Sequence, residues 1–539
     1  MDHPTDFRGP FRTDQLARDA YSESAGILRA VPLAVAVPDD REDLQRLCAW
    51  AAQAGHPLIP RGSGSSMAGA AVGPAIIVDL HRLRAAPSIE PSWQRAHAGV
   101  AVTRAQLDAA ARAHGLRFPV DPSSGAFCTL GGMVACNAAG ARTLAFGATR
   151  SWVHAVECAF ADGTSARVAR GQAARPSDPA PLTRWWSEAD TLRAAAARIP
   201  APAVRKQSSG YGLHDFARTG DLVDLLVGSE GTLAFFTSVE VDLAPLPRAT
   251  ATVLGAWPSI DAAVHAAALA REAGAVACEL LDATFLRVAA RGRTLPVDAS
   301  SESVLLVEIE GESTEDVTVR GEALARAWRL AAASTVQLGL DPESEEALWA
   351  LRHAASPILA RLDPHIRSMQ VVEDGCVPPA RLGDYQRGVR AALASAQLDG
   401  VIFGHAGDAH LHVNALVDVR TPGWREAVQS LFQSVTELTR QLGGTMAGEH
   451  GDGRLRTPLL GDFWPADALA QFRRLKTLFD PAGILNPGVK VAEGGAPVTA
   501  IKYDPALPAL APRVRSLLDR VEAERRWDES RLELLDATG

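Results

Sequence analysis

Two separated segments of the chain carry histidine and carboxylate side chains in a pattern that suits metal chemistry. The first, FGHAGDAHLHVN (403–414), contains His405, His410 and His412, and the second, GEHGDG (448–453), contains Glu449 and His450. Because side chains alternate along a strand, His410 and His412 are expected to share one face. Imidazole nitrogens and carboxylate oxygens are ligands of zinc and of its divalent neighbours.

The donor set indicates a catalytic rather than a structural metal. A structural zinc site usually has four protein ligands, often thiolates, and no cysteine lies near either segment. A site with three ligands and an open position is typical of catalysis. The alternative is that these are ordinary loop histidines in a chain that has 14 of them. The GEHGDG segment favours the metal site.

Composition narrows the class of protein. The 539 residues suffice for several domains with large cores. A net charge of −9 argues against nucleic-acid binding, which usually requires a basic balance. The six cysteines are scattered and form no CxxC pair, which argues against an iron–sulfur framework in this sequence and fits a reducing compartment. The polar N-terminus and the absence of a long apolar run predict a cytoplasmic protein without a transmembrane segment, and leave peripheral membrane association open.

Two glycine-rich segments follow in the N-terminal half. A helix predicted to begin after Asp40 and to stop at Gly55 leads into a strand, the loop PRGSGSSMAG (60–69) and a second strand, AIIVDL (75–80). Such a loop can bind a phosphate through successive backbone N–H groups. The Rossmann fingerprint fails, because Met67 occupies its last glycine position and no helix follows. The segment 121–153 packs small residues between apolar ones, which lets backbone approach a large flat ligand.

Two further signals lie between residues 155 and 241. ECAFADGTSARVA predicts a β-hairpin around Asp162-Gly163. DLLVGSEGTLAFFTSVEV (224–241) is interpreted as a strand, a glycine loop and a second strand. Each glycine cluster taken alone could be a structural turn. Their occurrence together favours a common ligand.

The order of these segments carries a family resemblance. PRGSGSSMAG, DPSSGAFCTLGGMVACNAAGARTLAFGATRSWV, GYGL and GSEGTL resemble the FAD-binding domain of the vanillyl-alcohol oxidase type. Together with GHAGDAHLHVN, GEHGDG and FDPAGILNPGVK (479–490), they make residues 30–490 similar to the FAD-linked D-2-hydroxyacid dehydrogenases, which include D-lactate, glycolate and D-2-hydroxyglutarate enzymes.

The resemblance implies an α+β fold, with a two-subdomain FAD-binding domain and an α+β cap that contains an antiparallel sheet. The expected divisions are an FAD-binding domain (1–246), a substrate and metal domain (247–478), a segment returning to the FAD domain (479–490), and a linker with a C-terminal helix (491–539).

The resemblance also implies non-covalent FAD, since the first loop has no histidine that could tether the flavin. The expected cofactor-binding residues are Arg61, Gly62, Ser63, Gly64, Ser65, Ser66, Gly69, Pro122, Thr129, Gly131, Gly132, Asn137, Gly140, Gly147, Gly228, Glu230, Gly231, Thr232 and Asn486.

Around the metal, the resemblance implies that His405, His412 and Glu449 bind a divalent ion, with zinc expected and manganese or iron as alternatives. His450 matches the general base, as an imidazole that titrates near neutrality. The other matched positions are Asn414 beside the substrate, Arg352 on the substrate carboxylate, and Arg367 where a lysine is common. His410 stands where the motif commonly has asparagine, and a supporting or neutral role is preferred over that of a ligand.

The implied reaction is oxidation of a D-2-hydroxy acid to the 2-oxo acid, with hydride transfer to flavin N5. Electrons are expected to leave to a separate acceptor: an iron–sulfur protein, a quinone, a cytochrome or an electron-transfer flavoprotein. The alternatives are a flavoprotein electron-transfer subunit without substrate chemistry and an oxidase that uses oxygen directly. Leucines among dense charges in residues 511–539 predict an amphipathic helix that packs on its own domain.

Overall fold

Three larger β-sheets follow one another along the chain. The structure is a computed structural model, and it describes residues 3–4, 6–290, 295–298, 301–353, 365–491 and 500–537. The first sheet consists of β1 (Phe11–Arg12), β2 (Ala34–Ala36), β3 (Leu58–Arg61) and β4 (Ile76–Asp79), in the order β1-β2-β4-β3. Both β2 and β3 run parallel to β4. Because β3 is an edge strand, the glycine–serine loop that follows it starts at one edge of this buried sheet.

Two helices accompany this sheet, α1 (Gln15–Ala20) and α2 (Arg41–Ala54). The prediction for α2 is confirmed at both ends. The Asp40 carboxylate accepts a hydrogen bond from the backbone N–H of Asp43, and Gly55 ends the helix in the left-handed region with φ of 69°.

The second sheet is antiparallel, with strand order β5-β6-β10-β8-β9. Its strands are β5 (Ser88–Glu90), β6 (Arg95–Gly99), β8 (Val153–Ala159), β9 (Ser165–Ala169) and β10 (Phe235–Asp242), and the short β7 (Leu116–Arg117) pairs with β11 (Ala244–Pro245). The predicted hairpin is confirmed as β8 and β9. The predicted strand before the GSEGT loop is wrong, because Val223–Leu226 forms a short helix there.

The helices of this region surround the second sheet. They are α3 (Arg104–Arg112), α4 (Leu130–Cys136), α5 (Thr143–Phe146), α6 (Ala180–Ala196), α7 (Leu213–Thr219) and α8 (Val223–Leu226). Single 3₁₀ turns lie at Pro91–Trp93 and Thr149–Trp152. Helix α4 is capped by Thr129, whose side chain accepts a hydrogen bond from the backbone N–H of Gly132. The glycines of the second cluster therefore open a helix.

The third sheet has eight antiparallel strands and carries the histidine-rich segment. The strands are β12 (Ala249–Trp257), β13 (Ala277–Asp282), β14 (Ser303–Gly311), β15 (Thr335–Gly339), β16 (Ile366–Met369), β17 (Gly375–Cys376), β18 (Asp399–His405) and β19 (His410–Asp418). Their order is β15-β12-β14-β13-β18-β19-β16, and β17 also pairs with β19. The two histidine strands therefore lie next to each other, away from the β15 end of the sheet.

Helices pack on both faces of this sheet and fill two apolar cores. They are α9 (Ile260–Glu272), α10 (Ala283–Ala289), α11 (Thr314–Leu330), α12 (Pro342–His353), α13 (Leu382–Ser395) and α14 (Trp424–Gln441). Single 3₁₀ turns lie at Pro379–Arg381 and Ala406–Asp408. The α+β fold class is confirmed.

The chain then returns to the N-terminal half. Helices α15 (Gly453–Arg456), α16 (Leu460–Phe463) and α17 (Ala466–Phe479) follow the GEHGDG segment, with a 3₁₀ turn at Thr457–Leu459. Apolar side chains between Leu460 and Leu485 belong to the core of the second sheet. The GEHGDG segment thus connects the third sheet to the core of the second.

Two C-terminal helices, α18 (Pro512–Glu524) and α19 (Arg531–Asp536), cover the first sheet. Leu517, Leu518 and Val521 pack with Val35 and Ile77 in one apolar cluster. The amphipathic helix predicted from the sequence therefore packs on its own domain. None of the helices in the described ranges combines the length and the apolarity needed to cross a bilayer.

Replacing Leu517 with alanine should lower the free energy of unfolding by about 2–5 kcal/mol, because it leaves a cavity between α18 and the first sheet. Chemical denaturation followed by tryptophan fluorescence measures the change. Ser516→Ala, on the exposed face of the same helix, is the matched control and should shift stability by no more than about 0.5 kcal/mol. Equal stability of the two variants would contradict this packing.

Candidate functional site

The two histidine strands form a tight antiparallel hairpin. β18 ends at His405, a turn over Ala406–Asp408 follows, and β19 begins at His410, which pairs directly with His405. His412 pairs with Phe403. Strand alternation places His410 and His412 on one face of β19, as predicted. The hairpin brings three imidazoles together, and the backbone register fixes their arrangement.

Three of the predicted ligand atoms converge. The Nε2 atoms of His405 and His412 lie 3.2 Å apart, and each is 3.5 Å from Oε1 of Glu449. Ligand atoms placed tetrahedrally about 2.0–2.1 Å from zinc are separated by roughly 3.3–3.4 Å. All three side chains are buried. The spacing of these atoms therefore fits a single divalent ion between them.

The partners of the other ring nitrogens support the same conclusion. Nδ1 of His405 contacts the carboxylate of Glu279, and Nδ1 of His412 donates to the backbone carbonyl of Glu373 at 2.8 Å. With a proton on each Nδ1, both Nε2 atoms can present a lone pair to a cation between them. Without a cation, Nε2 of a protonated His405 can donate to Nε2 of His412 at the same distance. Carboxylate and carbonyl partners of this kind orient metal-binding histidines.

Local electrostatics differ between the two histidines. Burial lowers the pKa of His412 well below its usual value, and the neighbouring His410 acts in the same direction, so His412 stays neutral. Burial also opposes charge on His405, but the Glu279 carboxylate outweighs it and raises the pKa to about 9. A cation bound at His405 would compete with this proton, so its binding would release a proton near neutral pH.

His450 lies beside the three converging atoms. Its ring stacks on that of His412 with centroids 5.6 Å apart, and its Nε2 is 3.5 Å from Oε1 of Glu449. Its Nδ1 lies 2.6 Å from Oε2 of Glu373. Burial opposes charge on the ring, but the Glu373 carboxylate outweighs it and raises the pKa of His450 to about 10. Glu373 thus supports Nδ1, while Nε2 faces the cluster formed by His405, His412 and Glu449.

His410 occupies a different position from the other histidines. It is fully buried, its Nε2 pairs with Oδ1 of Asp374 at 2.9 Å, and its Nδ1 is 3.9 Å from Oε2 of Glu449. It does not line the cavity described below. The supporting role predicted for His410 therefore stays the preferred interpretation.

Asp374 also holds the GEHGDG segment. Its carboxylate accepts hydrogen bonds from the backbone N–H groups of Glu449 and His450 at 3.0–3.3 Å. Arg456 donates to the same carboxylate at 3.0 Å and pairs with Glu373. Two adjacent acidic residues thus fix the loop that carries Glu449 and His450.

The other predicted catalytic residues, Arg352, Asn414 and Arg367, differ in how they are placed around the cavity. Arg352 lines the cavity, its Nε donates to Oε2 of Glu279 at 2.7 Å, and its guanidinium lies over the ring of Phe403. Asn414 also lines the cavity, and its Oδ1 accepts a hydrogen bond from Ser368 at 3.1 Å. Both are held by other side chains that face the cluster.

Arg367 also lines the cavity, but it lies on a different face of β16 from Ser368. On β16, Ser368 pairs with Leu416 and Arg367 with Val417, so alternation directs Ser368 towards the Asn414 face and Arg367 to the opposite one. The Arg367 guanidinium lies 5.1 Å from the ring centroid of Tyr503. The structure does not bring Arg367 together with Asn414.

A cavity of about 1390 Å³ connects the histidine cluster to the glycine loops. His405, His412, Glu449 and His450 line one part of it. Predicted cofactor residues line another: Gly62, Ser63, Gly64, Ser65, Ser66, Pro122, Thr129, Gly131, Gly132, Gly140, Glu230, Gly231 and Asn486. The cluster and the loops therefore share one space.

The other six predicted cofactor residues are not among those that line the cavity: Arg61, Gly69, Asn137, Gly147, Gly228 and Thr232. Arg61 is buried and donates to the backbone carbonyls of Tyr21 and Glu23, which holds the first loop. Thr232 shares a hydrogen bond of 2.7 Å with the hydroxyl of Tyr211. The residues that line the cavity come from loops that these contacts shape.

Close packing of the loops explains one glycine. A Cβ atom added to Gly62 would lie 2.4 Å from Oγ1 of Thr129. The first loop and the start of α4 therefore touch, and a side chain at Gly62 would separate two of the segments that line the cavity.

Comparison with known families agrees with this arrangement. Residues 32–169 match the family described as "FAD binding domain", and residues 246–489 match "FAD linked oxidases, C-terminal domain". Together these matches cover most of the chain. The chain therefore contains an FAD-binding domain followed by the C-terminal domain of FAD-linked oxidases. The FAD-binding domain that the resemblance implied is confirmed.

Curated relatives have similar sequences. The "Glycolate oxidase subunit GlcD" of Bacillus subtilis is 29% identical, over 86% of this chain and 90% of its own length. The "D-lactate dehydrogenase" of Archaeoglobus fulgidus is 28% identical, over 84% of this chain and 90% of its own. The "D-2-hydroxyglutarate dehydrogenase" of Pseudomonas putida is 27% identical over 97% of this chain, but the chain spans only 54% of that protein. The predicted resemblance to FAD-linked 2-hydroxyacid enzymes is confirmed.

A solved structure supports the fold. The 4-ethylphenol oxidase of Gulosibacter chungangensis superposes with a TM-score of 0.66 at 15% identity, over 90% of this chain and 94% of its own. At this identity the likeness concerns the fold alone.

Four buried residues of the site were not predicted. They are Lys206, Glu279, Glu373 and Asp374. Each is a common charged residue in a segment without a motif, and Glu279 lies far along the chain from its partner His405. The adjacent acidic pair in VVEDGC is the only sequence signal that could have drawn attention to two of them.

Replacing Glu279 with glutamine should weaken zinc binding by about 10–100-fold. The amide cannot accept from both His405 and Arg352 as the carboxylate does, so it orients the His405 ring less firmly. Competition with a chromophoric chelator measures the dissociation constant. Glu302→Gln is the control, because Glu302 is half-exposed and pairs with Arg390 instead. Wild-type affinity in Glu279→Gln would contradict this role.

Proposed function

We propose that this chain oxidises a D-2-hydroxy acid to the corresponding 2-oxo acid, with a divalent ion held by His405, His412 and Glu449 and with His450 as the general base. The observation that carries the proposal is the convergence of the three ligand atoms in the same cavity as the flavin loops. An electron-transfer subunit without substrate chemistry has no use for this cluster.

The residues fit the two implied groups. Two Nε2 lone pairs and a carboxylate oxygen match the ligand preference of zinc. The glycine loops form a cavity wall whose backbone can approach a flat cofactor closely. When bound, FAD accepts the hydride and the divalent ion polarises the hydroxyl and carboxylate oxygens of the substrate. The remaining contributions come from the side chains of the chain itself.

His450 is suited to take the hydroxyl proton. With a pKa of about 10, the ring is an imidazolium at neutral pH while no ion is bound, so His450 has to release a proton before it acts as a base. A cation held by His405, His412 and Glu449 would lower that pKa, and Nε2 could then accept a proton on the side of the cluster while the Glu373 carboxylate supports Nδ1 at 2.6 Å. The carboxylate also stabilises the imidazolium that forms, because it lies against the positive ring. His450 is less deeply buried than the three ligands, as a base that meets substrate must be.

Arg352 is suited to bind the substrate carboxylate. It lines the cavity and is held by Glu279, which also contacts His405, so the arginine and the ligand keep a fixed relation. A guanidinium can bind a carboxylate through two parallel hydrogen bonds. Asn414 and Ser368 add polar groups on the same face of the sheet. These contacts orient the carbon that loses hydride relative to the flavin loops.

The substrate proposed here is a small 2-hydroxy acid of the glycolate, D-lactate or D-2-hydroxyglutarate class. The names of the relatives support this range, and the cluster needs only the hydroxyl and carboxylate that all three share. We further propose that electrons leave to a separate acceptor, as the word "subunit" in the name of one relative suggests.

Replacing His450 with alanine should slow anaerobic flavin reduction by a D-2-hydroxy acid by roughly 10²–10⁴-fold, because the hydroxyl proton loses its acceptor. Stopped-flow bleaching of the flavin with glycolate and with D- and L-forms of lactate and 2-hydroxyglutarate measures the rate. Zinc content should stay close to that of the wild type, which separates loss of the base from loss of the ion. His97→Ala, an exposed histidine on β6, is the control and should reduce at the wild-type rate.

Removal of the metal by a strong chelator should abolish flavin reduction while FAD stays bound, and zinc or manganese should restore it. Flavin absorbance after gel filtration reports cofactor retention. Flavin reduction that persists in both the metal-free protein and His450→Ala would refute the mechanism. No reduction by any 2-hydroxy acid, with metal and FAD present, would favour the electron-transfer subunit.

A further inference from the structure

Lys206 is a buried lysine from the N-terminal half of the chain that contacts Glu449 in the histidine and glutamate cluster. It lies between α6 and α7, and 1% of its side chain is exposed. Its Nζ donates to Oε2 of Glu449 at 2.8 Å and to the backbone carbonyl of Gly140 at 2.9 Å. A second carboxylate, that of Asp408, lies 3.8 Å away. An ammonium group removed from water in this way requires such partners.

The two oxygens of Glu449 therefore have separate roles. Oε2 accepts from Lys206, while Oε1 is 3.5 Å from Nε2 of His405, of His412 and of His450. Rotation of the carboxylate would break the hydrogen bond to Lys206 or turn Oε1 away from the imidazoles. A carboxylate with one oxygen held in this way binds a metal through the other oxygen alone.

The same short segment joins the two halves of the molecule. The Gly140 carbonyl belongs to the glycine-rich segment that lines the cofactor cavity, and Glu449 belongs to the GEHGDG segment. Two residues on, the backbone N–H of Ser208 donates to the carbonyl of Ala447 at 2.8 Å, and its hydroxyl donates to the carbonyl of Gly448 at 3.2 Å. The lysine thus lies within a continuous set of contacts between the cofactor wall and the ligand loop.

We propose that Lys206 is a positioning residue that holds Glu449 as a one-oxygen metal ligand and fixes the metal relative to the cofactor wall. This proposal rests on the proposed function, because it assumes that Glu449 binds a metal. Lys206 itself does not line the cavity; it acts through its hydrogen bond to Glu449.

Lys206→Met in the FAD-loaded protein tests the proposal, because methionine fills a similar volume without a donor. Zinc binding, measured by chelator competition, should weaken about 10–100-fold, as for other residues that support metal ligands. The flavin-to-protein absorbance ratio should stay at the wild-type value. Flavin reduction at saturating zinc should show a lower kcat with a smaller change in KM, because the ion is held but displaced.

The direction of the change in zinc affinity discriminates between a positioning role of Lys206 and a purely electrostatic effect of its charge. Loss of a positive charge beside a cation would by itself strengthen zinc binding, so unchanged or tighter binding in Lys206→Met would overturn the proposal. Arg205→Met is the control: it removes a positive charge from the same segment, but that arginine is half-exposed and pairs with Asp408. Zinc binding by Arg205→Met should change by less than about fivefold.

A second variant, Lys206→Gln, keeps a polar group at the buried position and guards against misfolding of the methionine variant. It should lose zinc affinity, and because the buried Glu449 carboxylate loses its ammonium partner, its thermal midpoint without zinc should also fall while the protein stays folded at the temperature of the assay. Loss of FAD together with zinc in both variants would mean that Lys206 only packs the interior, and would overturn the proposal. If the wild-type protein itself binds no zinc, manganese or iron, the proposed function fails. If the wild-type protein binds zinc and both variants bind it just as tightly, this inference alone fails.

Discussion

The charge of one buried carboxylate, that of Glu449, is the constraint on which the rest of the site depends. A carboxylate removed from water is tolerated only when positive groups and hydrogen bonds surround it. Burial would raise its pKa, but Lys206 and the neighbouring histidines outweigh burial and hold it well below its usual value. Since the carboxylate stays ionised, it is available to a cation. The lysine comes from one half of the molecule and the histidines from the other, so this charge also helps to join the two halves.

Other buried charged residues around the site are paired with opposite charges in the same way. Glu279 lies between His405 and Arg352, while Glu373 and Asp374 lie between His450 and the fully buried Arg456. Each positive group faces a negative one, so the interior of the site carries many charges with few of them unpaired. Networks of this kind give orientation more than stability, because each desolvated charge costs about as much as its pairing returns. That is the property required for holding ligand atoms in place.

The position of the cluster matters as much as its chemistry. The hairpin of β18 and β19 belongs to the third sheet, whereas GEHGDG leads back into the core of the second, and the cavity between them continues to the glycine loops. A substrate bound at the cluster would therefore face the part of the cavity where the FAD-binding domain supplies its loops. This relation follows from the chain returning to its N-terminal half directly after Glu449.

The sequence by itself determined the motifs, because each depends on neighbours along the chain. The cap of α2, the β8–β9 hairpin, the glycine loops and the shared strand face of His410 and His412 all follow from local spacing. Only the tertiary structure decided the partners: Lys206, Glu279 and Glu373 are common residues without a pattern, and they matter because folding brings distant segments together. It also decided that Arg367 points away from Asn414, since the register of β16 on β19 sets its face. Local spacing predicts an element, whereas burial and register determine which charges meet.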